Sequence, residues 1–236
     1  MLLGLSLGFL VLVSAALIHG YHYATSSEYL ELREIEIHGN QRLTYTDILR
    51  LMQVDTGINM LKLNMSQMQK RLVQSPWVEQ ARVRRDFPDQ LHVDIREKQA
   101  YFWVQNDDNL YYADEKGRII ERLTPERLVS LPVLHTHQNA GSGDISEIVR
   151  TLEQRIFPFS IHDISWISIT ETGRVGMYIH GLDLKLAMNC RELHKQTRQL
   201  NAVWNDLRQR QEIDAVKMIT VAGENVWVAY RDPEKP

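Results

Sequence analysis

The side chains of this chain that are best suited to chemistry are its histidines and its cysteine. The sequence holds nine histidines, scattered along 236 residues, and one cysteine. His135-Thr136-His137 could place two imidazoles on one side of an extended segment, which is how a zinc site can begin. A third ligand at a recognisable spacing is missing, so a solvated loop is the favoured interpretation and no metal site is predicted.

Nucleophilic catalysis finds equally little support. The sequence has no glycine-rich phosphate loop, no nucleophile elbow and no pairing of Cys190 with a histidine in a local motif. Cys190 has no second cysteine with which to form an internal disulfide, so a buried apolar role is favoured for it. A hydrolase whose residues converge from distant parts of the chain stays open as an alternative. The prediction is a protein that is not an enzyme and needs neither a cofactor nor a small-molecule substrate.

Overall charge excludes one further class of function. The chain carries 27 basic and 30 acidic residues, which gives a formal net charge of -3. Nucleic-acid binding through bulk electrostatics requires a clear excess of positive charge, so it is not expected here.

The N-terminal segment constrains the compartment. Met1–Ser27 has no Asp, Glu, Lys or Arg, and Met1–Ile18 is apolar apart from two serines. A helix of about 17 to 25 apolar residues crosses a bilayer core, so we predict a transmembrane signal anchor over residues 1–23, with the aromatic cluster His19–Tyr23 at the interface. Two alternatives stay open: a secretory signal cleaved near Val13-Ser14-Ala15, and a buried core helix.

Residues 30–98 predict a domain of the order β-α-α-β-β. Ile35 and Ile37 alternate with polar residues, as in a strand with one buried face. Thr44 and Asp47 are spaced as a capping box for the first helix, and Asn64 is a suitable N-cap for the second. Two strands follow, joined at the turn residues 87–90.

Residues 99–230 predict a mainly antiparallel β domain with two helices, followed by a charged tail over residues 231–236. Short β-prone runs alternate with turns. The last two strands, Val216–Val221 and Val226–Tyr230, flank a turn that contains Gly223. The complete chain is therefore expected to be an α+β protein with two domains after its anchor. The apolar faces of its two helices are Ile145, Ile148, Val149, Leu152 and Ile156, and Leu193, Thr197, Leu200, Trp204 and Leu207.

Several motifs in this order resemble the FtsQ/DivIB family of bacterial cell-division proteins, whose first soluble domain is a POTRA domain. The resemblance covers nearly the whole chain. The motifs that carry it are Gly39-Asn40, Pro76-Trp77-Val78, Phe87-Pro88-Asp89, Ile95-Arg96-Glu97 into Ala100–Trp103, the turn Asp114–Gly117, and Leu131-Pro132.

The resemblance implies a non-enzymatic scaffold of the division machinery. Such a protein has one span in the inner membrane, has its C-terminal part in the periplasm and lies at the division septum. Its expected partners are small single-span proteins of the FtsB and FtsL type and the septal peptidoglycan synthase complex. Binding is expected by β-augmentation, in which a partner strand satisfies the free backbone groups of a sheet edge.

The resemblance also implies two partner-binding surfaces. In the POTRA domain Val83 and Arg85 should point with the buried residues of the strand and Gln80 away from them, so the three can share a surface only along the strand edge. In the β domain the final hairpin is the expected edge, where Gly223 permits close backbone approach. The alternative there is that Val226 and Trp227 pack in the core. The residues assigned are Gln80, Val83 and Arg85 in the first surface, and Thr220, Ala222, Gly223 and Trp227 with the basic contacts Arg174 and Lys195 in the second.

Overall fold

The computed structural model describes residues 2–124, 128–136 and 142–232, and it divides into two compact units, Met1–Lys98 and Gln99–Pro236. Helices of the first unit are α1 (Leu2–Ser26), α2 (Tyr45–Met52) and α3 (Met65–Gln74), and those of the second are α4 (Ser142–Glu153) and α5 (Leu193–Gln209). Strands of the first unit are β1 (Glu34–His38), β2 (Val78–Asp86) and β3 (Gln90–Glu97). Strands of the second are β4 (Phe102–Asn106), β5 (Asn109–Ala113), β6 (Ile119–Arg122), β7 (Val133–Thr136), β8 (Ile164–Ile169), β9 (Arg174–Ile179), β10 (Leu184–Asn189), β11 (Val216–Ala222) and β12 (Asn225–Tyr230).

The N-terminal helix is longer than the sequence predicts. The predicted anchor covers residues 1–23, of which Met1 lies outside the described residues. The structure continues α1 three residues further, to Ser26. Among the described residues, no helix combines the length and the apolar character that crossing a membrane requires. The helix is therefore present, and the membrane span stays a prediction.

The first unit has the predicted order β-α-α-β-β after α1. Its sheet has the strand order β1-β3-β2, with β1 parallel to β3 and β2 antiparallel to β3. After the two helices the chain enters the sheet as β2, which runs opposite to β1. The following hairpin makes β3 antiparallel to β2 and therefore parallel to β1. Both predicted N-caps form: the capping box of Thr44 and Asp47 begins α2, and the Asn64 side chain accepts a hydrogen bond from Gln67 N at the start of α3.

The second unit contains one mixed sheet of nine strands, ordered β12-β11-β10-β9-β8-β7-β4-β5-β6. Most neighbouring strands are antiparallel, as predicted, but β10 pairs with β11 in parallel, and β7 pairs in parallel with both β4 and β8. The helices explain two of these exceptions. α4 lies between β7 and β8 along the chain, and α5 lies between β10 and β11, so each forms a crossover to a parallel neighbour.

One strand contradicts the sequence analysis. The segment around His135 is predicted as a solvated loop, whereas Val133–Thr136 forms β7 inside the sheet. Leu134 is buried there, while His135 and Thr136 are exposed; His137 lies outside the described residues. A strand of four residues with one buried side chain has too little alternation to be recognised from the sequence. Its extended conformation depends on pairing with β4 and β8 on either side.

The core of the second unit confirms the predicted face of α5 and most of that of α4. The predicted residues of α4 that are buried are Ile145, Ile148, Val149 and Leu152, whereas Ile156 lies beyond Glu153, the last residue of the helix, and is half-buried. Along α5, the predicted residues Leu193, Thr197, Leu200, Trp204 and Leu207 are all buried. Cys190 belongs to the same core and is 1% exposed. Burial, followed by the nearby charges of Asp144 and Glu147, raises the pKa of the Cys190 thiol to about 12. The thiol therefore stays protonated at neutral pH, in agreement with an inert packing role.

Candidate partner-binding surfaces

The strand β12 ends the nine-stranded sheet. Among the described residues it pairs with β11 alone, so one side of its backbone faces away from the sheet; we call this side the β12 edge. None of its six residues is charged. Val226 and Val228 pack partly against the core, whereas Trp227 and Tyr230 are 53% and 51% exposed.

Backbone geometry identifies the free donors of the β12 edge. Arg231 N, directly after the strand, donates a hydrogen bond of 2.8 Å to Ala215 O, so its N–H points toward the preceding strand. Successive N–H groups of a strand point to opposite sides. The N–H groups of Val226, Val228 and Tyr230 therefore point outward, away from β11.

A tight turn connects β11 to β12. Ala222 pairs with Asn225, which leaves a two-residue turn with Gly223 at its first central position. Gly223 has φ +60°, the conformation for which a type II′ hairpin turn selects glycine. A Cβ built at Gly223 would meet nothing within 4 Å. Within the protein itself, glycine is therefore required here by the turn and not by crowding.

The structure places the predicted hairpin residues unequally. Thr220 and Ala222 belong to β11, which lies between β10 and β12, so they are beside the edge and not on it. Trp227 is on the edge strand, directly opposite Thr220. The alternative that Trp227 packs in the core is wrong, since more than half of it is exposed, while Val226 does pack against the core.

The two predicted basic contacts lie at the same end of the sheet as the turn. Lys195, on α5, places its Nζ 3.4 Å from Glu224 Oε1. Arg174, the first residue of β9, pairs with Asn189 at the end of β10, and β10 runs parallel to β11 toward Ala222. Positive charge is thus available beside the turn, although Glu224 offsets that of Lys195.

The opposite end of the strand anchors β12 to the sheet. Tyr230 donates a hydrogen bond of 3.0 Å to Glu212 Oε2, and this bond, with partial burial and the carboxylate charge, raises the pKa of Tyr230. The Arg231 guanidinium donates to the carbonyls of Leu182 and Asp183 at 2.6 and 3.0 Å. The C-terminal end of β12 is therefore fixed to the sheet, while no described strand pairs with its outer side.

The other terminal strand of this sheet, β6, is built differently. It has four residues, and two of them, Glu121 and Arg122, are charged. The turn before it is held by Asp114, whose carboxylate accepts from Lys116 N and Arg118 N, both at 2.9 Å. Burial alone would raise the pKa of Asp114, but these bonds and the Arg118 guanidinium hold it below its usual value.

In the first unit, β2 is the corresponding terminal strand. Among the described residues it pairs with β3 alone, and its outward side is called the β2 edge. Gln80 is exposed on one face, Val83 is 7% exposed on the other, and Arg85 donates to the carbonyl of Leu63 from the buried side. The three predicted residues therefore do not share a face, and the strand edge is the one surface they have in common.

Charged side chains of β2 and β3 pair across the exposed face of this sheet. Arg96 Nε lies 2.9 Å from Glu79 Oε2, and Arg84 lies 3.3 Å from Asp94. Gln80 lines an open groove of about 650 Å³ beside α3. The other residues that line it are Gln69, Val73, Glu79, Ala81, Arg82, Asp94, Ile95 and Arg96.

Sequence reasoning missed one cluster of polar side chains. Glu36, His38 and His92 come together on the exposed face of the β1–β3 pair. The alternation of polar and apolar residues along each strand assigns each of the three residues to a solvated face. Their proximity depends on the parallel pairing of β1 with β3, for which the sequence offers no local signal.

The fold and these surfaces define a class of protein, one with a POTRA domain followed by a β-rich domain that has few helices. Residues 30–98 match the family model "POTRA domain, FtsQ-type", and residues 101–220 match "Cell division protein FtsQ/DivIB, C-terminal". The chain belongs to the FtsQ/DivIB family of cell division proteins. It has a role in cell division, and the family is not an enzyme family.

Curated relatives of this chain are cell division proteins named FtsQ or DivIB. The chain is 26% identical to the cell division protein FtsQ of Syntrophotalea carbinolica over 199 residues, which covers 78% of this chain and 69% of that protein. It is 33% identical to FtsQ of Anaeromyxobacter sp. over 115 residues, covering 49% of this chain and 39% of the relative. The solved extracytoplasmic domain of DivIB from Geobacillus stearothermophilus is 19% identical, with a TM-score of 0.31 over 48% of this chain and 96% of that one. That likeness is too weak to bear on the fold.

Proposed function

We propose that the protein is a membrane-anchored scaffold of the division machinery that binds its partners by strand addition to the β12 edge. The observation that carries this proposal is an uncharged terminal strand with three outward N–H groups and an exposed Trp227. An incoming strand would pair with the free donors and acceptors, and its side chains would determine which partner is accepted.

The chemistry of the edge favours a particular kind of partner. Trp227 offers a large apolar contact next to the free backbone, and Arg174 and Lys195 offer positive charge near the turn. A partner strand with an apolar residue opposite Trp227 and acidic residues toward Gly223 fits this arrangement. We assign the edge to small single-span division proteins of the FtsB and FtsL type, through which the scaffold would connect to the septal peptidoglycan synthase complex and link early to late septum assembly.

The β2 edge is proposed as a second, separate surface for recruitment to the septum. Its candidate contacts remain Gln80, Val83 and Arg85, with the backbone edge as the feature that they share. Because Val83 is buried and Arg85 reaches inward to Leu63, Gln80 is the one of the three whose side chain is free to contact a partner without rearrangement.

The anchor is proposed from the side chains of α1. No residue of the helix is charged, and its apolar side chains between Gly8 and Ile18 are exposed, with Phe9 and Leu12 each at 71%. Insertion in the inner membrane, with the C-terminal part in the periplasm, would remove these side chains from water. The alternative is a soluble periplasmic protein released by signal cleavage. Alkaline extraction of membranes distinguishes the two, because release into the supernatant with a new N-terminus near Ala16 contradicts the anchor.

Site-specific photo-crosslinking in cells tests strand addition directly. A photoreactive residue replaces Trp227 on the β12 edge, and the matched control replaces Ile119 on β6, which is similarly exposed at 47% at the other end of the same sheet. We expect a crosslink to a small single-span division protein from position 227 and none from position 119. Equal crosslinking from both positions, or crosslinking from 119 alone, would contradict the assignment to β12.

A further inference from the structure

Two strands bring three potential metal ligands to one exposed face of the first unit. Glu36 and His38 are two residues apart on β1, so their side chains lie on the same face. Glu36 pairs directly with His92 of β3 in the parallel register. The three positions are therefore fixed by the backbone of a paired sheet and not by a loop.

The ligand atoms of these residues converge. His38 Nε2 lies 3.1 Å from Glu36 Oε1, and His92 Nδ1 lies 2.8 Å from Glu36 Oε2. One ligand atom from each residue can be chosen such that all three lie within 4.8 Å of one another. In a tetrahedral zinc site, bonds of about 2.0 to 2.2 Å place neighbouring ligand atoms about 3.4 Å apart, so small side-chain rotations suffice to accommodate the ion.

A fourth residue, Asp86, occupies the position of an outer partner. Its Oδ2 lies 3.2 Å from His92 Nε2, the ring nitrogen that does not face Glu36. Metal-binding histidines typically coordinate through one nitrogen and donate the other N–H to a carboxylate, which fixes the tautomer and the orientation of the ring. Arg84, the partner of His92 in the β2–β3 pairing, lies 3.3 Å from Asp94, so its charge is partly offset.

We propose that Glu36, His38 and His92 form a binding site for Zn²⁺, with Asp86 orienting His92. Two imidazoles and one carboxylate are a ligand set that zinc uses when it keeps a fourth position open. That position is available to water or to a side chain from a partner. Because β1 and β3 both supply ligands, the ion would also connect two strands of the same sheet.

The site can be tested without disturbing the fold. The side chains of His38 and Glu36 are 58% and 48% exposed, so His38→Ala removes little buried surface. That of His92 is 22% exposed, so His92→Ala removes more and its fold is checked before its metal binding is compared. The protein is the full chain in detergent micelles, purified without a histidine tag. The variants are His38→Ala, His92→Ala and Asp86→Asn, and the matched control is His180→Ala, an exposed histidine of the second unit.

Zinc binding is measured by titration calorimetry, and Co²⁺ is used as a visible probe of the coordination geometry. We expect one Zn²⁺ per chain, tetrahedral-type Co²⁺ absorption, and a higher melting temperature with zinc, because the ion binds the folded state. His38→Ala and His92→Ala should each abolish the Co²⁺ spectrum. Asp86→Asn should weaken zinc affinity by about 10-fold to 100-fold, the usual cost of losing an outer partner.

Three results would overturn the site. The first is no saturable zinc binding by the wild-type chain, which would leave the cluster as hydrogen-bonded ion pairs only. The second is a Co²⁺ spectrum that persists in the double variant His38→Ala/His92→Ala. The third is an equal loss of binding in His180→Ala. Circular dichroism of each metal-free variant must match that of the wild type. If one histidine variant does not fold, the other histidine variant and Asp86→Asn still test the site.

Discussion

The two terminal strands β2 and β12 solve the problem of an open sheet edge in opposite ways. Five of the nine residues of β2 are charged, and a bulge interrupts its pairing with β3 between Val78 and Gln80. Charges and bulges are the usual means by which an edge strand is protected from unwanted pairing. β12 has neither a charge nor a bulge in its own residues.

The comparison teaches that position at an edge does not by itself define the mode of binding. The β12 edge suits main-chain pairing, because nothing on it repels an added strand. The β2 edge suits recognition by side chains, because its charged groups oppose the addition of another strand. Their interactions with a partner would also weaken as the ionic strength rises. Partner binding at the two edges should therefore be lost under different perturbations.

Proline in the middle of β12 should produce the largest effect. Val228→Pro removes an outward N–H without removing a bond to β11, since proline is tolerated on an edge where its nitrogen faces solvent. We expect the loss of one backbone hydrogen bond to the partner strand. An acceptor left unpaired costs about 1 to 3 kcal/mol, which corresponds to a decrease in affinity of about 5-fold to 150-fold. Affinity is measured with a peptide of the FtsB-type partner.

The matched control is Val228→Ala, which loses the same side-chain packing but retains the donor. If both variants bind the peptide equally while their melting temperatures agree, main-chain pairing at β12 is wrong. Recruitment through the β2 edge should be unchanged in both.

Truncation of the exposed tryptophan should have the next largest effect. Tryptophan at the centre of an interface often contributes about 2 kcal/mol or more, so Trp227→Ala should weaken the peptide by more than about tenfold with little change in stability. Ile119→Ala, of similar exposure on β6, is the control and should bind as the wild type does. Equal affinity of wild type and Trp227→Ala would show that the partner does not cover this side chain.

A charge added to the β2 edge should have a moderate and salt-dependent effect. Gln80→Glu places a negative charge in the groove beside Arg82 and Arg96, and we expect weaker recruitment to the septum, scored by fluorescence microscopy, with unchanged binding of the β12 peptide. Gln67→Glu adds the same charge on α3 outside the lining of the groove and should be silent. Arg85→Glu is unsuitable, since Arg85 bonds the Leu63 carbonyl and its loss would confuse folding with binding. Normal septal localisation of Gln80→Glu would exclude the groove.

The smallest effect is expected at Thr220. Thr220→Ala truncates a half-buried side chain on β11, one strand away from the edge, and leaves every backbone group in place. Peptide affinity should change by less than about twofold, because a substitution that removes no backbone hydrogen bond and no central interface contact usually changes the free energy by less than about 0.5 kcal/mol. A loss as large as that of Trp227→Ala would mean that the partner covers β11 as well as β12.

Local sequence patterns predict most of the helices and strands, but they do not predict which distant strands pair with one another. The β-prone runs Val216–Val221 and Val226–Tyr230 predict β11 and β12 to within one residue, and the spacing of apolar residues predicts the buried face of α5. The strand β7 is missed because its neighbours determine it. The order of strands is a non-local property, so the sequence could propose the final hairpin as an edge but could not show that β11 lies inside the sheet. The cluster of Glu36, His38 and His92 is hidden for the same reason.

The crossover through α5 determines when the β12 edge forms during folding. β12 pairs with β11 across a two-residue turn, but β11 joins the sheet through its parallel contact with β10, on the far side of α5. Such a contact closes a long loop and is slow relative to a hairpin. A chain in which this loop is still open has no completed edge to offer, so strand addition at β12 would select for molecules that have finished folding.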